Sequence, residues 1–184
     1  MFNFIKEYYR RKRINGSLCV QSVKFTNLRD VESVSFAYSV TSASEIADIV
    51  EVFKFLKWRN VKIRVLIIEA KKGVFSKVEE WQELEGQDGV YMVGYSSLDW
   101  LGDLKTDVAR EFFDFESNLF INFNSSPNFT LSRVAQSVKA NMKIGMMNEE
   151  GVPYSLIVGD KGGVVLSNIE YLTQIFHYLK IFNK

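Results

Sequence analysis

From Ser33 to the end of the chain, apolar residues recur with two spacings that take turns: every second residue, then every third or fourth. The first spacing marks a strand with a buried face, and the second marks a helix with one apolar stripe. Over Ser33 to Val40, the residues Phe36, Tyr38 and Val40 alternate with Ser35, Ala37 and Ser39, which predicts a strand. Ile46, Ile49, Val50, Phe53 and Leu56 then share one stripe of a helix, behind a Ser42-Ala43-Ser44-Glu45 of capping-box spacing. Ile63 to Ile68 is apolar almost throughout, as expected of an inner strand covered on both faces.

The same alternation continues. Val90 to Val93, Leu119 to Phe123, Met142 to Met146 and Ser155 to Val158 predict four more strands. Ser76-Lys77-Val78-Glu79 opens a short helix through Leu84, and Thr106 caps another reaching about Phe115. Ser126-Pro127 starts a helix with Leu131, Val134, Ala135 and Val138 inward. Ser167-Asn168-Ile169-Glu170 opens the last one, with Leu172, Ile175, Phe176, Leu179 and Phe182 inward. Strands separated by helices call for right-handed parallel crossovers. The expected fold is therefore α/β: a three-layer α/β/α sandwich around a mainly parallel sheet, Rossmann-like or flavodoxin-like. The pair Gly162-Gly163 permits a local hairpin, and with it an antiparallel strand at the last edge.

Ahead of this pattern lies an N-terminal piece of another kind. Phe2, Ile5, Tyr8 and Tyr9 recur at helical spacing and leave the basic residues mostly on another face. Residues 1–16 thus read as a basic amphipathic helix or arm on a single domain spanning 1–184. Leu18 to Phe25 reads as a short extended piece, anchored by Val20 and Val23.

Composition supports one domain. The chain has 184 residues, 47% hydrophobic and 14% aromatic, and only 2 prolines, with no linker-like tract between halves. A single cysteine, Cys19, excludes an internal disulfide and any cysteine-cluster zinc site. One free thiol, no signal-peptide-like stretch and no run long enough to span a bilayer point to the cytoplasm.

The net charge of +1 conceals a segregation. Residues 1–13 hold Lys6, Arg10, Arg11, Lys12 and Arg13 against Glu7, a net +4, while residues 79–116 hold eleven acids against Lys105 and Arg110, a net −9. The basic arm (Arg10, Arg11, Lys12, Arg13) has two main uses: pairing with this acidic belt or with another copy, and engaging a protein partner. Peripheral contact with an anionic membrane is a further use of such a helix. Nucleic acid fits less well, because no base-reading motif accompanies the cations.

Candidate chemistry is sparse. In open α/β sheets it gathers at the carboxyl ends of the strands. Here those ends read Ser39-Val40-Thr41-Ser42, Glu69-Ala70-Lys71-Lys72-Gly73, Gly94-Tyr95-Ser96-Ser97, Asn122-Phe123-Asn124-Ser125 and Gly159-Asp160-Lys161-Gly162. These are turn and cap residues, without a base, nucleophile or metal cluster, so neither a catalytic residue, a metal nor a cofactor is assigned. His177, the one histidine, falls in the last helix with no titratable partner nearby in sequence. Gly159 to Gly163 matches neither the phosphate loop nor the dinucleotide fingerprint, and Glu149-Glu150-Gly151 reads as an ordinary acidic turn. One constellation remains: Ser42, Ser44, Asn124 and Ser125 meet at one sheet edge if their strands are parallel. Beside helix starts they would suit an anion, and they are equally good N-caps.

The segments Leu98-Asp99-Trp100-Leu101-Gly102, Leu119-Phe120-Ile121-Asn122-Phe123, Ala135 through Ala140 with Lys143-Ile144-Gly145, and the tail Tyr178 to Lys184 carry a resemblance. The chain resembles an uncharacterised bacterial family, largely from Bacteroidetes, with a "DLLIN" strand, a "KAKFKVG"-like segment and a "KYLKILNK"-like tail. It departs from that pattern at Ser117-Asn118, where acidic residues are usual. The resemblance covers about the last 90 residues, implies an α/β fold and supplies no activity. The same stretch is faintly similar to the Rossmann-like N-terminal half of ADP-heptose-type glycosyltransferases. Two functions are expected from these residues: first a non-catalytic binding or protein-interaction domain, and as the alternative a binding protein or enzyme using the strand carboxyl edge for a phosphorylated metabolite or nucleotide.

Overall fold

The alternating residues Phe36 to Val40 lie in a strand at the centre of a sheet. The computed structural model describes residues 2–16, 24, 26–42, 44–77, 80–105, 107, 109–149, 151–159 and 166–181. Its helices are α1 (Phe2–Asn15), α2 (Ser44–Trp58), α3 (Arg110–Asp114), α4 (Phe129–Ser137) and α5 (Asn168–Ile181). Its strands are β1 (Ser33–Val40), β2 (Lys62–Glu69), β3 (Val90–Val93), β4 (Glu116–Asn122), β5 (Lys139–Gly145) and β6 (Leu156–Ile157). They pair in the order β3-β2-β1-β4-β5-β6, every pair parallel. The chain works outward from β1 to β3, returns to the centre as β4 and works outward again. This is the doubly wound Rossmann order, distinct from the flavodoxin-like one.

Two apolar layers hold the sheet. Val34, Phe36, Tyr38 and Val40 of β1 pack with Ile46, Ile49, Val52 and Leu56 of α2 and with Leu172, Ile175 and Leu179 of α5. On the other face, Ala37, Leu66, Ile68 and Phe120 meet Phe112 of α3 and Leu131, Val134 and Ala135 of α4. The stripes of α2, α4 and α5 read from the sequence are thus the buried ones. Phe182 lies outside the described residues.

The differences are local and have physical causes. Among the described residues the last edge is parallel: β6 lies parallel to β5, with Ile144 opposite Leu156 and Gly145 opposite Ile157. The Gly162-Gly163 turn that suggested a hairpin lies outside the described residues, as do Leu18–Val23 and Phe25. The helix expected from Ser76 to Leu84 is instead two 3-10 turns, Phe75–Lys77 and Glu80–Glu83. The helix expected from Thr106 shrinks to the five residues of α3, because Asp107 (φ 74°) and Ala109 (φ 58°) are left-handed and interrupt helical geometry. Proline does not open α4. Asn128 caps it, its side chain accepting from the Leu131 N–H at 3.2 Å. The capping box at the last helix is as expected: Ser167 Oγ accepts from the Glu170 N–H, and Glu170 accepts from the Ser167 N–H at 2.8 Å.

One glycine enforces the edge of the sheet. Gly89 sits at φ +84° just before β3, and a Cβ there would lie 2.2 Å from the Ile63 carbonyl oxygen. Gly89→Ala is expected to cost at least ~1–3 kcal/mol from the backbone strain alone. Urea denaturation should show a lower midpoint at unchanged slope.

Candidate functional site

β1 and β4 are neighbours from which the chain departs in opposite directions, so a crevice opens at their carboxyl ends. Its floor is made by small residues. Ser39 ends the face of β1 that carries Ala37, and Ala70 follows β2. With no large side chain there, a cavity of about 510 Å³ remains between the sheet edge and the first turn of α4 at Asn128 to Thr130. The loop after β3 supplies Tyr95 and Trp100 at the rim, 48% and 54% exposed. α1 crosses above and contributes Lys6 and Arg10.

α1 is held there mainly by polar contacts. Arg10 Nε donates to the Leu101 carbonyl at 2.7 Å, and its guanidinium lies 5.0 Å from the Phe129 ring centre. Arg13 pairs with Asp99 at 2.7 Å and Asp103 at 3.3 Å, so the basic arm and the acidic belt meet within one chain. Gln136 Nε2 donates to the carbonyls of Ile14 and Gly151. Arg11 and Lys12 remain exposed.

The electrostatics of the cavity are positive. Asp99 lines it, but its carboxylate is taken up: Oδ1 accepts the N–H groups of Leu101 and Asp103, and Oδ2 accepts from Arg13. Burial works against its charge, and these bonds outweigh burial to hold Asp99 below the usual carboxylate range. Arg10 is shared with Glu7 at 2.9 Å. Lys6 has no ion pair among the described residues and lines the cavity.

The four residues singled out in the sequence surround the same edge but lie elsewhere. Ser42 and Ser44 stand at the start of α2, their hydroxyl oxygens 3.0 Å apart. The Glu45 carboxylate already takes the Thr41 N–H at 2.6 Å and the Ser42 N–H at 3.4 Å, so this helix start carries its own negative charge. Ser125 lines a second cavity of about 450 Å³ on the α2/α5 side, where Asp48, Glu51 and Glu170 bring three carboxylates. Asn124 lies below, its N–H donating to Asn122 Oδ1 at 3.1 Å. An anion is therefore better served on the α1/α4 side.

Between the two cavities runs a buried polar network that sequence reasoning missed. Glu149, expected in a plain acidic turn, is 8% exposed. Its carboxylate accepts from the hydroxyls of Ser132 on α4 and Tyr154, and from Asn122 Nδ2 at 3.5 Å. Asn122 is 1% exposed and also donates to Tyr154 Oη at 2.5 Å. The Tyr154 ring lies against Gly145, where a Cβ would be 2.9 Å away. Lys143, equally buried, donates to the carbonyls of Ala135 and Gln136 and so caps the C-terminal turn of α4. The signal was an amide inside Ile121-Asn122-Phe123 and an amine inside Met142-Lys143-Ile144, polar groups that a buried strand must satisfy. On α5, His177 is exposed, and among the described residues no cluster of acids, histidines or cysteines is placed to hold a metal ion.

Glu149 makes folding depend on pH in a defined sense. Burial raises its pKa despite the bonds from Ser132 and Tyr154. The folded state then binds a proton more readily than the unfolded one, so this group's contribution to stability is full below the ordinary carboxylate value and falls as pH rises through the raised one. Glu149→Gln should remove that slope: the stability difference between wild type and variant, from denaturant melts at several pH values, should shift against wild type as pH rises.

A model of a family described as a family of unknown function (DUF6913) matches residues 6–182, nearly the whole chain. No curated protein matches.

Proposed function

The chain belongs to this family of unknown function, and we propose that it is a binding domain whose ligand is a small phosphorylated metabolite or nucleotide. The observation that carries this reading is the cavity at the switch point of the sheet, between the end of β1 and the start of α4, with Lys6 and Arg10 in its lining. The N–H groups of the first turn of α4 favour negative charge, and the rings of Tyr95 and Trp100 offer flat surfaces to a base or sugar. The volume suits a small metabolite. The turn between β1 and α2 lacks the glycines that draw a dinucleotide to the first helix of this fold, and Glu45 closes that helix start. Binding without catalysis fits the lining, in which Asp99, the one carboxylate among the described lining residues, is locked to Arg13. A cytoplasmic, bacterial setting goes with this reading, from the single cysteine and the resemblance in the second half of the chain.

A thermal-shift screen against nucleotides and sugar phosphates tests the proposal. A ligand at 100 times its dissociation constant adds about 2.7 kcal/mol to stability. A stabilisation that Lys6→Ala abolishes while the unliganded melting point stays unchanged would support it. A screen with no stabilising phosphorylated compound, or one whose hit is indifferent to Lys6→Ala, would count against it.

A further inference from the structure

α1 is docked with its polarity reversed. The side it turns to the domain carries Arg10, Arg13 and Ile14. The side it turns outward carries Phe4 (82% exposed), Ile5 (45%) and Tyr8 (59%). A helix docked on a domain ordinarily does the opposite. The outward apolar face is extended by Tyr9, edge-on to Tyr8 at 5.5 Å and to Trp100 at 5.9 Å, both of these aromatics being about half exposed. Arg11 and Lys12 lie on the same exposed side, and the one acid of the helix, Glu7, is engaged by Arg10.

We propose that the outward face of α1, with Trp100 beside it, is a docking surface for an anionic lipid membrane. Aromatic and apolar side chains at the level of the headgroups, flanked by Lys and Arg, are what an interfacial helix requires. The charge pattern chooses between lipid and a second copy of the chain. Two copies pairing about Tyr8 would bring Arg11 and Lys12 of each toward the same cations of the other, with Glu7, already shared with Arg10, as the one acid of the helix. An anionic headgroup layer supplies the missing charge and leaves the cations hydrated. The attachment would also bring the mouth of the α1/α4 cavity to the membrane surface.

Co-sedimentation of the full chain with phosphatidylcholine vesicles, with and without phosphatidylglycerol, tests this. Binding is expected only to the anionic vesicles and should weaken as salt is raised. Arg11→Gln with Lys12→Gln should lower the partition coefficient about 30-fold, from the ordinary contribution of each cation near an anionic surface. Phe4→Ser with Tyr8→Ser should abolish binding while circular dichroism stays that of the wild type, since these side chains are exposed. No sedimentation with anionic vesicles would overturn the proposal, as would binding unchanged in both double variants. A dimeric mass in solution that becomes monomeric in Phe4→Ser/Tyr8→Ser would also overturn it, assigning the face to a second copy.

Discussion

A carboxylate buried beside the end of β4 is the group on which the carboxyl edge of the second half of the sheet depends. Glu149 is held by hydroxyls and amides: Ser132 from α4, Tyr154 from the approach to β6, and Asn122 from the end of β4. Each of these groups would be costly to bury alone. Together they oblige three elements to keep one arrangement, and the Tyr171 hydroxyl joins α5 to it through the Asn122 carbonyl. The position of α4 follows, and with it the position of the first turn that faces the cavity. The site is thus shaped by a network that does not itself line it.

A second carboxylate does comparable work on the other half of the sheet. Glu69, at the end of β2, accepts the N–H groups of Phe75 at 3.2 Å and Tyr95 at 3.0 Å. Burial opposes its charge, yet the backbone donors prevail and keep it below the usual carboxylate range. The loops after β2 and β3 are therefore pinned to one side chain, which fixes where Tyr95 begins the aromatic rim. Both ends of the crevice are set by buried acids whose partners are neutral donors.

Most of the fold was legible because the sheet is covered on both faces. Ile63 to Ile68 and the stripes of α2, α4 and α5 announce burial directly, and burial by helices forces parallel crossovers. The strand order was not legible, since β1 could have been central or peripheral with the same pattern. The short segments failed for local reasons: Asp107 and Ala109 adopt left-handed backbone that neither residue type advertises. The candidate site was half legible. Ser42, Ser44, Asn124 and Ser125 lie around the carboxyl edge of the sheet where the cavities open, but which side of the sheet is positive depended on Glu45, Asp48 and Lys6, residues whose charges only the tertiary fold compares. Glu149 escaped because an acid in a Glu-Glu-Gly turn looks solvated until Asn122 and Ser132 are seen around it.

The polar docking of α1 has a thermodynamic consequence. The heat capacity change of an opening scales with the apolar surface it exposes. Lifting α1 breaks ion pairs and carbonyl contacts, while the apolar side chains on its outward face are in water already. Its detachment therefore carries little heat capacity change compared with melting of the sheet, whose core closes over Phe36, Leu119 and Ile121. The hold of the helix on the domain should stay nearly constant across temperatures over which the stability of the core traces a pronounced curve.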